Sequence, residues 1–78
     1  MAHDVKYDYS KLLGRIKEFR STQERLSAEI GMSESTLSLK LNSNAFFRQN
    51  EIRKICDFLN IDTAEIGAYF FTLEVQEN

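Results

Sequence analysis

An all-α fold, a compact bundle of four to five helices with room for a short carboxyl-terminal β-strand, is predicted by three observations. Apolar residues recur at helical spacing along most of the chain. Gly31 and Ser33 break one such stretch into two short helices, and only after Phe70 does the spacing change to alternation.

The break between Thr22 and Asn42 has the grammar of a helix-turn-helix. Gly31 takes the left-handed conformation that ends the first helix at little cost. Ser33 is placed to accept a hydrogen bond from the amide of Ser35 or Thr36, which opens the second. Leu26 and Ile30 share one face of the first helix, and Leu37 and Leu41 share one face of the second, so the two faces can meet across the turn. At about 100° per residue, Glu34, Ser35, Ser38, Leu39 and Asn42 fall within an arc of roughly 140° on the second helix, away from that core. Short polar groups and one aliphatic group on a slender helix are what the DNA major groove admits, although a solvated helix face has the same composition.

The other elements follow in order. A first helix begins near Tyr9 or Ser10, with Leu12, Leu13, Ile16 and Phe19 as its apolar stripe. Ser21 with Glu24 fits a capping box for the second helix, and Thr22 is the competing cap; either puts Gln23 in the first turn, where its amide can reach an anion. After Asn42, the loop containing Ala45, Phe46 and Phe47 is expected to plug the bundle with its aromatic pair. A fourth helix is expected over about Gln49 to Leu59, from Ile52, Ile55, Cys56 and Leu59. Its start lacks a capping hydroxyl, since Arg48 occupies that position, so the first turn is free to shift toward Asn50. Asn60 closes it. Asp62 with Glu65 as capping box, and Ile61 with Ile66 as hydrophobic staple, then start a fifth helix near Thr63. In the tail, Phe71, Leu73 and Val75 alternate with polar residues. Such a strand needs a partner: either the segment around Val5 to Tyr7 or the same strand of a second subunit, which makes Phe71, Leu73 and Val75 candidate dimerisation residues.

Residues 9 to 66 resemble the phage Cro and repressor family of helix-turn-helix regulators, with a lambda-repressor-like fold. The match is carried by Thr22-Gln23, Leu26, Gly31, Ser33, Thr36-Leu37-Ser38 and Leu41-Asn42, and the end Ile66 to Phe71 resembles the tail of a small phage-encoded Cro-like subgroup. The resemblance implies that Gln23 contacts phosphate, that Glu34, Ser35, Ser38 and Leu39 read bases, and that Asn42 touches the DNA backbone. It implies a role in a lysis or lysogeny decision. Glu34 departs from the family, which often has a neutral or basic residue there; its carboxylate either accepts from a cytosine amine or simply favours the positive end of its helix. Leu39 either packs on a thymine methyl or is an ordinary exposed leucine. Lys40 is expected to lay its stem along Leu37 and Leu41 and send its ammonium outward to phosphate. Arg48 and Gln49 are further phosphate candidates.

Composition bounds the alternatives. Seventy-eight residues with 42% hydrophobic content make one domain, with residues 1 to 8 as an extension and 71 to 78 as strand or tail. No apolar run suits a membrane span and the amino terminus does not read as a signal peptide, so a cytoplasmic protein is expected. Cys56 reads as a small buried hydrophobe, and His3 lies on a tail without companions for a zinc site. Neither a metal nor any other cofactor is expected, nor a small-molecule substrate, and catalysis is not expected because no nucleophile has a base near it. The net charge of -2 is unevenly distributed: residues 1 to 54 hold ten Lys/Arg against seven Asp/Glu, and residues 55 to 78 hold five acids and no Lys or Arg. The leading expectation is a homodimeric, sequence-specific regulator that binds double-stranded DNA at a palindromic operator, with recognition helices roughly 34 Å apart. The alternative is a protein-interaction module, antirepressor or antitoxin-like, that uses the acidic half and aromatic tail.

Overall fold

The computed structural model describes residues 6–74, which form five α-helices and a single isolated β-bridge. The fold is all-α, as its apolar spacing predicts. The helices are α1 Ser10–Glu18, α2 Gln23–Ile30, α3 Glu34–Leu41, α4 Gln49–Leu59 and α5 Ile66–Phe70, the last preceded by a 3-10 turn over Thr63–Glu65. Leu12, Leu26, Leu37, Ile55, Leu59 and Phe70 are sealed from solvent at the centre. Every helix except the 3-10 turn supplies one of them, so each is held by burial rather than by its own short length.

The local start and stop signals act as the residue types dictate. The Thr22 hydroxyl accepts from the Arg25 amide at 3.1 Å, making Thr22 rather than Ser21 the cap of α2. Gly31 ends that helix at φ 75°. Ser33 then accepts from the Thr36 amide at 3.1 Å, and α3 begins after only three intervening residues. Helix α4 starts at Gln49, without a shift toward Asn50: in place of a hydroxyl on residue 48, the start is held by the reciprocal bond of a capping box, in which the Glu51 carboxylate accepts from the Arg48 amide at 2.9 Å. Its far end closes on Asn60 in the left-handed region, and Arg15 of α1 donates to the Leu59 and Asn60 carbonyls at 3.0 and 2.9 Å. Asp62 accepts from the Ala64 amide at 3.4 Å, but the element it opens is the 3-10 turn, which passes into α5.

Two expectations are corrected by packing, and of the two partners open to the tail strand the amino-terminal segment is the one it meets. Phe19 does not belong to the apolar stripe of α1; it is 41% exposed, with the Arg15 guanidinium over its ring. Of the expected aromatic plug only Phe47 enters the bundle, edge-on to Tyr9 and Phe70, while Phe46 is 64% exposed. The carboxyl-terminal segment pairs with the amino-terminal one. The Asp8 amide donates to the Thr72 carbonyl at 2.7 Å and the Glu74 amide to the Lys6 carbonyl at 2.9 Å, with Tyr7 opposite Leu73 in antiparallel register. Val5 and Val75 lie outside the described residues.

Candidate nucleic-acid interface

Helix α3 presents its outer arc as the spacing requires. Glu34, Ser35, Leu39 and Asn42 are exposed and Ser38 is half-buried, while Leu37 and Leu41 face the core. At the helix start the Ser33 hydroxyl also donates to the Thr36 hydroxyl at 2.9 Å and lies 3.4 Å from that of Ser35. These three hydroxyls share one hydrogen-bond cluster, which fixes the first turn. At the other end the Asn42 amide nitrogen donates back to the Ser38 carbonyl at 2.9 Å and lies 3.4 Å from the Ser38 hydroxyl. With its amide nitrogen engaged in this way, Asn42 keeps its carbonyl oxygen as an acceptor, which suits a donor better than a phosphate.

The phosphate candidates divide. Gln23 sits half-buried in the first turn of α2, beside a cleft of about 410 Å³ that Lys17 and Thr22 also line. Arg48 and Gln49 are exposed at the start of α4. Lys40 is not available to phosphate: its side chain is only 9% exposed, and its ammonium donates to Glu51 Oε1 at 2.6 Å. The stem does lie in the core, but the charge turns inward because a carboxylate waits there. The same Oε1 accepts from the Arg48 amide, so a single oxygen joins the last turn of α3 to the first turn of α4. Burial pushes the Glu51 carboxyl up, but the Arg48 amide, the Lys40 hydrogen bond and the two nearby cations outweigh it and hold the group below the usual carboxylate range. The signal for Glu51 in the sequence is its place three residues after the helix cap, where an acid answers the cap amide.

The charge of this region follows from that pair. With Lys40 neutralised internally, the exposed charged residues of α2 and α3 are Glu24, Glu29 and Glu34 against Arg25. Of the candidate dimerisation residues, Phe71 and Leu73 are 52% and 62% exposed, and Val75 is outside the described residues. Among the described residues no group of His, Cys, Asp or Glu is arranged to hold a metal ion, and no helix is long and apolar enough to cross a membrane.

No curated protein matches the chain at a significant level. Among solved structures it is similar to the solution structure of the modulator of repression (MOR) of the temperate bacteriophage TP901-1 from Lactococcus lactis. Identity is 41%, the TM-score is 0.74, and the match covers 91% of this chain and 96% of that one. Residues 5–73 match the family described as "Protein of unknown function (DUF739)". A domain matched over nearly its whole length by both comparisons leaves one assignment: the chain belongs to the DUF739 family, together with its bridged amino- and carboxyl-terminal segments.

Proposed function

We propose that the chain is a regulatory protein of a temperate-phage repression circuit and that it works through the exposed arc of α3. The observation that carries this reading is the arc itself: Glu34, Ser35, Ser38 and Leu39 stand outward on a helix whose start is fixed by Ser33 and whose inner face is anchored by Leu37 and Leu41. The similarity to a modulator of repression supports it.

Two partners fit that arc. Double-stranded DNA fits its shape: Glu34, Ser35, Ser38 and Leu39 would meet base edges, with Gln23, Arg48 and Gln49 on phosphates, in a Cro-like dimer on a palindromic operator. Charge favours the second partner. Glu24, Glu29 and Glu34 repel a duplex but complement the cationic DNA-reading surface of a repressor, so the chain modulates repression by occupying that surface. Electrophoretic shifts with random-sequence duplexes, at low and at physiological salt, separate the two when run beside the phage's own purified repressor. For a DNA reader, Gln23→Ala weakens binding to all duplexes alike and Ser38→Ala changes the preferred sequence. For a repressor ligand, duplexes do not shift at micromolar protein, the repressor binds, and Glu34→Lys abolishes that binding. Binding to neither overturns the proposal.

A further inference from the structure

Away from α3, two clefts of about 200 and 320 Å³ lie side by side and share Ile52 and Phe71 in their walls. Phe46 and Tyr7 extend the first, and Ile66 floors the second. Their rims hold large apolar side chains that the fold leaves in water, Phe46 at 64% and Phe71 at 52% exposure. Tyr7 holds both in place, edge-on to Phe71 at 5.7 Å and to Phe46 at 6.4 Å between ring centroids. Aromatic rings left exposed beside apolar clefts are the side chains and shape that a contact surface uses.

The second cleft also has a charge. Arg53 lines it, exposed and without an ion pair among the described residues, with Gln49 and Thr63 as polar groups beside it. Arg48 and Lys54 are exposed on the same helix region. A second copy of this chain is a poor occupant, because a two-fold contact sets each copy's Arg53 region against its own image. A duplex would meet a cation here, but the aromatic walls offer its phosphates nothing. The occupant must bring apolar side chains for the clefts and an anion for Arg53.

We propose that the Ile52–Phe71 trough is a docking site for a short acidic-hydrophobic segment of a partner protein, in which an aromatic or leucine side chain enters the clefts and a neighbouring carboxylate pairs with Arg53. This surface lies off the α3 arc and meets the contacts proposed for a duplex only at Gln49, which is not among the residues the proposal relies on.

The test is a selection of short random peptides displayed against the full chain. Enriched peptides carry an aromatic residue or leucine beside Asp or Glu. One of them, made synthetically, binds about tenfold more weakly to Arg53→Glu and to Phe46→Ser, and unchanged to Ser38→Ala. Circular dichroism of each variant confirms its helices, and both substituted side chains are exposed, so the comparison is between folded proteins. Enrichment of basic peptides, no enrichment, or affinities indifferent to Arg53→Glu and Phe46→Ser would overturn the proposal. So would a concentration-dependent dimer in sedimentation that Arg53→Glu dissociates or strengthens, since the occupant would then be a second copy.

Discussion

At the scale of single residues, Glu51 has the largest consequence. Its carboxylate holds the Lys40 ammonium, which is nearly sealed from solvent, and caps α4 at the same time. Glu51→Gln leaves Lys40 without a counter-charge and should lower stability by about 1–3 kcal/mol in urea unfolding at neutral pH. The pH dependence has a definite sign. The folded-state carboxyl titrates below its ordinary value of 4.5, so its contribution is complete above that pH and declines as pH falls toward and through the lower folded value. Wild type should therefore lose its advantage over Glu51→Gln as unfolding is repeated from pH 6 down into the acid range, and an advantage that grew on acidification would refute the assignment. Lys40 and Glu51 are eleven positions apart on different helices, and no local pattern couples them. The burial of the Lys40 stem is therefore legible in the sequence, and the inward turn of its ammonium is not.

At the scale of elements, two glycines with equally open surroundings should respond oppositely to alanine. A Cβ at Gly14 or at Gly31 meets no atom within 4 Å. Gly14 lies within α1, where alanine restricts the unfolded chain and favours the helix, so Gly14→Ala should raise stability by about 0.5–1 kcal/mol. Gly31 sits at φ 75°, where a Cβ is strained, and Gly31→Ala should lower it by about 1 kcal/mol. Thermal unfolding of the two variants checks both signs at once. This is the scale at which the sequence is most legible. The bounds of α2, α3 and α4 follow from Thr22, Gly31, Ser33 and Asn60, because a cap acts on amides or carbonyls within a few residues. The 3-10 turn before α5 and the outward Phe46 were not legible, since each depends on how distant elements share space. The arc of the candidate site was legible for the same local reason as the caps, but its charge was not, because that was decided by Glu51.

At the scale of the whole molecule, the carboxyl-terminal segment belongs to the monomer. Its hydrogen bonds with Lys6 and Asp8, and the edge-on contact of Phe71 with Tyr7, use the pairing capacity that a dimer strand would need on that side. A chain ending at Phe70 should release the amino-terminal segment. Hydrogen exchange of the Asp8 amide should accelerate strongly while Leu37 and Ile55, in the sealed centre, keep most of their protection. Unchanged exchange at Asp8 would mean that its bond to Thr72 contributes nothing in solution.

That same bridge also gives the polypeptide the form of a nearly closed ring. Lys6 and Glu74 are hydrogen-bonded to each other, and Tyr7, beside them, is tied through its amide to the Ser43 hydroxyl just past α3. Origin and terminus of the described path therefore meet at the exit of the helix that carries the proposed function. A covalent splice between Lys6 and Glu74 would therefore close only a short additional loop, beside the exit of α3.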